Sequence, residues 1–183
     1  GATYPVFYAF DEYNRMTNMF TLRDTGVEIS DYSSFITHLS SFDRTTWLYD
    51  QATGLLTNKL YADNKGPSYT YTADGKLASR RWARGIVTTY SYNPCCGSMT
   101  NIAYSDGTPA VSFTLDRLGR QVTVTDGTGT RAFTYNDALQ LAAETNVLGA
   151  ITRQYDSFGR NSGFTLGADY QVSYGYSSVG RFA

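Results

Sequence analysis

Long apolar runs are missing from this 183-residue sequence, and none approaches the roughly 20 residues that a membrane-spanning helix needs. Charge is scarce as well. Only 17% of the residues are charged, with 15 Lys and Arg against 16 Asp and Glu, for a net charge of −1. So balanced a chain lacks the broad positive field of a nucleic-acid or anionic-membrane binder, and neither nucleic acid nor membrane insertion is expected. There is one histidine, His38, and the two cysteines, Cys95 and Cys96, are adjacent. A structural zinc site usually takes four Cys or His ligands in spaced pairs, so no metal is expected. No cofactor is expected either, because no phosphate-binding or dinucleotide fingerprint occurs. Gly127-Thr128-Gly129 leads into a strand pattern, not a helix. Gly1 to Pro5 carry neither a basic nor an apolar region, so no signal peptide is expected in this stretch.

What is abundant is 16 Tyr, 17 Gly and 24 Thr. Tyr and Thr favour pleated sheet and Gly favours turns, which points to an all-β chain. The chain also repeats. An anchor recurs every 20 to 23 residues, clearest in Tyr155-Asp156-Ser157-Phe158-Gly159-Arg160 and Leu115-Asp116-Arg117-Leu118-Gly119-Arg120. The second position of each copy is Asp11, Asp50, Thr72, Asn93, Asp116, Asn136, Asp156 or Ser177. These side chains accept a hydrogen bond from the backbone N–H two residues on, so all eight read as turn-capping residues. Three or four residues later stands Gly in six copies, Asn14 in one and Leu139 in the last. Gly and Asn tolerate positive φ, which predicts a type I turn closed by a left-handed residue. Leu139 is the exception, expected to be strained or in a different turn.

Before the cap stand Phe10, Tyr49, Tyr71, Tyr92, Leu115, Tyr135, Tyr155 and Tyr176. Two positions earlier come Tyr8, Trp47, Tyr69, Tyr90, Phe113, Phe133, Arg153 and Tyr174. Bulky residues at period two, with small or polar ones between, describe a half-buried strand. Apolar residues after the turn, Met16, Leu56, Leu77, Met99, Leu141 and Phe182, predict a returning strand, with Gln121 and Asn161 breaking the pattern. Each repeat is therefore a hairpin. The whole is expected to be one array over 1–183 of about 15 antiparallel strands stacked side by side. Open sheets rarely exceed about ten strands without curling, so the strip should coil with its aromatic face on the concave side. Residues 17–46 interrupt the pattern, either as an inserted loop or as a degenerate copy around Val27-Glu28-Ile29-Ser30-Asp31.

A Tyr-Asp turn followed by Gly-Arg at this period resembles the YD-repeat, or Rhs, family, from about Phe7 to Ala183. That family includes bacterial Rhs polymorphic toxins, C components of insecticidal toxin complexes, wall-associated proteins and teneurins. The resemblance implies a β-strip spiralling into a hollow shell that encloses a toxic effector, or an adhesion scaffold with proposed carbohydrate binding. It also implies an exported protein, extracellular or on the cell surface. No autoproteolytic core or effector follows Arg181, so the sequence reads as a fragment whose partners are flanking repeats of a larger parent.

Function rests on few residues. Arg15, Lys76, Arg120, Arg160 and Arg181 follow the Gly position and form either a cation ladder facing a ligand or, the simpler account, partners for turn carboxylates and tyrosines. The aromatic rows are either a sugar-stacking platform or, preferred, core. Arg80-Arg81-Trp82-Ala83-Arg84 lies outside the repeated slots, which makes Arg80, Arg81, Trp82 and Arg84 the ligand-contact residues of a glycan- or protein-binding alternative. Cys95 and Cys96 are expected as thiols in preference to a vicinal disulfide. His38 has no nucleophile elbow near it in sequence, so no enzyme is expected. The leading expectation is a non-catalytic structural module, with edge-to-edge self-association through strands near Tyr4 to Phe10 and Tyr170 to Ala183.

Overall fold

A computed structural model describes residues 5–23, 26 and 28–183. Among the described residues the fold is all-β: fifteen antiparallel strands whose hydrogen-bonded order is the chain order, without a crossover. Two compact units divide between Thr89 and Tyr90. The first contains β1 (Val6–Phe10), β2 (Met16–Leu22), β3 (Phe42–Tyr49), β4 (Leu56–Leu60), β5 (Ser68–Tyr71), β6 (Leu77–Arg81) and the start of β7 (Val87–Tyr92). The second contains the end of β7, then β8 (Met99–Tyr104), β9 (Val111–Leu115), β10 (Gln121–Asp126), β11 (Gly129–Tyr135), β12 (Leu141–Asn146), β13 (Gly149–Tyr155), β14 (Asn161–Leu166) and β15 (Tyr170–Ser173).

Register explains the composition. Strand alternation puts Tyr69 and Tyr71 on one face and Thr70 on the other, where Thr70 and Ser79 stand opposite each other with hydroxyls 2.6 Å apart. Thr114 and Thr123 make the same 2.6 Å pair, and Thr125 and Thr130 one of 2.9 Å. Such cross-strand hydroxyl pairs stabilise a face that water reaches. In the β5–β6 hairpin the tyrosines thus take one face and the hydroxyl pair the other. Few residues are buried: among the described ones they are Phe35, Phe42, Pro67, Thr88, Val124 and Gly163.

Residues 23–41 connect β2 to β3. Leu22 pairs directly with Phe42, and the Arg23 N–H donates to the Ser41 carbonyl at 2.9 Å, so β2 and β3 form a hairpin. The connection carries a helix that the strand pattern did not anticipate, α1 (Tyr32–Thr37), opened by an Asp31–Ser34 capping box. Val27 of the proposed degenerate copy, and Tyr4 of the proposed edge, lie outside the described residues. α1 lies against a face of β1–β3 that carries phenylalanines. Phe7 and Phe20 pair across β1 and β2, Phe42 shares their face, and Phe35 stacks on Phe7 at 4.1 Å between ring centroids. Its ring also meets those of Phe20 at 5.2 Å and Phe42 at 5.1 Å.

Leu139 is left-handed at φ 66° within the same turn as the other copies: its N–H donates to Asn136 and the Asn136 N–H to Gln140, both at 2.9 Å. The different turn offered as one alternative is not adopted, because the capping and ladder hydrogen bonds outweigh the ~1–2 kcal/mol that a side chain costs there.

Candidate functional site

The anchor turns share a side-chain cap and a left-handed residue, and those at Asp50 and Asn93 are one residue longer than the rest. The cap side chains accept from the backbone ahead of them: Asp116 Oδ1 from Leu118 at 2.8 Å and Arg120 at 3.0 Å, Asp156 Oδ1 from Phe158 and Arg160 at 2.9 Å each. Asp11 accepts from Tyr13 and Arg15, Asp50 from Ala52 and Thr53, and Asn93 from Cys95 and Cys96. Thr72, Asn136 and Ser177 each accept from the residue four ahead. Asp11, Asp116 and Asp156 use their second oxygen to accept from Nε of Arg15, Arg120 and Arg160, each at 2.7 Å.

The arginine then reaches the next repeat. Its guanidinium carbon lies 4.7 Å from the ring centroid of Tyr49 for Arg15, 4.0 Å from Tyr135 for Arg120 and 4.2 Å from Tyr176 for Arg160. The tyrosine beneath it donates its hydroxyl to the carbonyl of the residue following the arginine. Tyr49 binds Met16 at 2.9 Å, Tyr135 binds Gln121 at 2.8 Å and Tyr176 binds Asn161 at 2.8 Å. Tyr71 binds Leu56 at 2.7 Å and Tyr155 binds Leu141 at 2.9 Å without an arginine. The acceptors share one place. Met16, Leu56, Gln121, Leu141 and Asn161 each flank a register shift in their own hairpin. A bulge disrupts the ladder locally, and the next repeat's phenol bonds there. At Gln121 and Asn161, which interrupt the apolar pattern, the phenol bonds the backbone carbonyl, not the side chain. Where Gln140 replaces arginine, its Nε2 donates to the Gly159 carbonyl of the following turn at 2.7 Å, as Arg120 Nη1 donates to Leu139 at 3.2 Å.

Removing one of these hydroxyls has a defined consequence. Tyr135→Phe or Tyr155→Phe is expected to lower stability by about 1 kcal/mol, the net worth of a hydrogen bond, in urea unfolding. Midpoints equal to the unmodified protein's would refute the role given to the hydroxyl.

The turn carboxylates are acidified. Burial in the turn pushes Asp11, Asp116 and Asp156 up, but the bonds from Arg15, Arg120 and Arg160 outweigh it and hold all three below the usual range. Asp50 is lowered by the Thr53 hydroxyl and backbone, and Asp74 is held at about 2 by Lys76 and then Thr72. Groups depressed in the folded state stabilise it fully above the ordinary aspartate value near 4 and lose that contribution as pH falls through the lowered values. Thermal melting is therefore expected to be level above pH 5 and to fall progressively between pH 4 and 2. A flat profile down to pH 2 would contradict it.

Strand alternation divides the segment Arg80–Arg84. Arg80 shares the tyrosine face with Tyr69, and its guanidinium carbon lies 3.5 Å from the Trp82 ring centroid, with that of Arg84 at 5.9 Å. Arg81, paired with Ser68 and Val87, is on the opposite face. Trp82 is 37% exposed, and its indole N–H donates to Thr88 Oγ1 at 3.1 Å. Among the described residues Arg80, Arg81 and Arg84 have no carboxylate partner, and the buried Arg80 Nε has no hydrogen-bond partner. Sequence reading missed why Trp82 is there: it holds the cap position of a turn closed by left-handed Gly85, as Tyr61 does in one closed by Asn64. Gly85 and Asn64 were the available signals.

Cys95 and Cys96 are exposed and not joined in a disulfide. His38 Nδ1 is 2.8 Å from the Ser34 carbonyl and 3.1 Å from Thr37 Oγ1, at the end of α1. Among the described residues no group of three or more His, Cys, Asp or Glu can hold a metal ion, and no helix is long and apolar enough to cross a membrane.

Capped turns, phenol-to-bulge bonds and, in three turns, stacked arginines define an array of repeated β-hairpins. No family model and no curated protein matches the chain. Its fold is similar to that of a chain in the Tc holotoxin pore of Photorhabdus luminescens carrying a TccC3 mutation, at 15% identity and TM-score 0.54, over 90% of this chain and 11% of that one. It is similar as well to a chain in the crystal structure of TcdB2–TccC3, at 15% identity and TM-score 0.56, over 92% and 12%. The chain thus spans about a ninth of the length of those it resembles, and at this identity the likeness is one of fold.

Proposed function

We propose that the chain is a non-catalytic structural module, a run of β-strip in a larger exported Rhs-type protein, joined on either side to further repeats and contributing to a wall around a protein cargo. The observation that carries this reading is the rung between repeats: charged and phenolic groups that usually serve ligands are spent on the next turn. Arg15, Arg120 and Arg160 each hold both a carboxylate and a tyrosine. An extracellular or cell-surface location belongs to the same proposal. Limited proteolysis of the full-length parent tests it. Deleting this array should make the enclosed segment protease-sensitive, and unchanged protection would overturn the enclosure reading.

A second reading is favoured by one specific feature. Residues 55–92 hold six Lys and Arg against two Asp in a chain of net charge −1, and Trp82 is partly exposed among them. Attraction of an acidic glycan to Arg80, Trp82 and Arg84 would use this local excess. A glycan array with Trp82→Ala as control decides it, and silence of the unmodified protein would end the binding reading.

A further inference from the structure

One rung is incomplete in two places at once. In the Asn93 turn the Asn93 N–H donates to the Ser98 carbonyl, the bond that Asp11 makes to Arg15 and Asp116 to Arg120, so Ser98 stands where those turns carry a cation. In the following repeat the residue before the cap is Leu115, where five other copies place a tyrosine whose hydroxyl reaches the preceding hairpin. By the register of those copies, the carbonyl that such a hydroxyl would meet is that of Met99. Neither the guanidinium nor the phenol is present, and an open depression of about 250 Å³ lies there, lined by Ser98, Met99, Phe113, Leu115, Gly119 and Gln121. A cavity of about 150 Å³ is enough to take up benzene.

We propose that this depression is a binding site for a tyrosine side chain presented by a peptide segment of another protein. The array makes the same fit internally at Met16, Leu56, Gln121, Leu141 and Asn161, so the site continues an interface the chain already uses. The ring would rest among Met99, Phe113 and Leu115, with its hydroxyl donating to the Met99 carbonyl. A thioether beside an aromatic ring adds a favourable contact. The inference does not depend on cargo enclosure, and its test leaves that reading untouched.

Methyl-detected NMR of the whole chain, labelled at Met and Leu, tests it with p-cresol, N-acetyltyrosinamide and N-acetylphenylalaninamide. Saturable shifts of the Met99 and Leu115 methyls are expected with the two phenols, and about fivefold weaker binding without the hydroxyl. Leu115→Tyr should abolish the shifts and raise the melting temperature, because the chain then supplies its own phenol. Leu115→Phe, which occupies the space without a hydroxyl, should abolish them too and serves if the tyrosine variant does not fold. Absent shifts, equal binding of the phenylalanine compound or undiminished shifts in the filled variants would overturn the site. Binding of p-cresol without N-acetyltyrosinamide would overturn the peptide as its source.

Discussion

Replacing Gly66 with alanine is expected to cost about 3 kcal/mol or more, at the upper end of what single substitutions do. A Cβ built there would lie 1.8 Å from the Lys59 carbonyl oxygen, 2.8 Å from its carbon and 3.2 Å from the Leu60 Cα. All three are backbone atoms, so no side chain can swing away to make room. The backbone would have to move instead, where the Lys59 N–H donates to the Pro67 carbonyl at 2.9 Å and β4 pairs with β5 through Asn58 and Ser68. Faster amide exchange at Lys59 and a lowered urea midpoint should accompany the loss. Gly75→Ala is the control. Nothing lies within 4 Å of its Cβ, so only the left-handed backbone at φ +81° resists, at ~1–2 kcal/mol. Equal effects at the two sites would show that close approach is not what Gly66 provides.

Phe35→Ala should be comparably severe, about 3–5 kcal/mol, for a different reason. Phe35 is 4% exposed and touches four rings, those of Phe7, Phe20, Tyr32 and Phe42. Truncation leaves three phenylalanines on a sheet face with nothing over them. Because Arg23 and Ser41 close the base of the segment that carries α1, the damage should first appear locally. Exchange at Ser34 and His38 should rise while the β13–β14 hairpin, in the other unit, stays protected. Protection unchanged at Ser34 would mean that α1 is held by something other than Phe35.

The rungs bear on how such an array tolerates sequence change. Asp116, Arg120 and Tyr135 make a complete rung, while Asn136, Gln140 and Tyr155 make a working one without any charge. Both have an acceptor at the cap, a side-chain donor four residues on and a phenol in the next repeat, and Tyr71 reaches Leu56 even where Leu55 replaces the donor. Repeats can therefore drift far from Tyr-Asp-x-x-Gly-Arg and still stack, which fits a shared fold at 15% identity.

Local chemistry was readable from the residues in order. A side-chain acceptor followed by a left-handed residue defines a turn over four or five positions, and alternation defines the strands between, so hairpins and strand order follow from short-range rules. Three things did not. Which carbonyl each tyrosine reaches depends on a register shift that only strand pairing creates, so Tyr135 and Gln121, 14 residues apart, gave no sign of each other. The cover formed by Phe35 required knowing that α1 lies against β1 to β3, since Phe7 and Phe42 share a face only once the strands pair. The depression at Leu115 arises because two ordinary substitutions, Ser98 and Leu115, meet in the same rung. Each is a contact between residues distant along the chain, set by three-dimensional packing that no periodicity encodes.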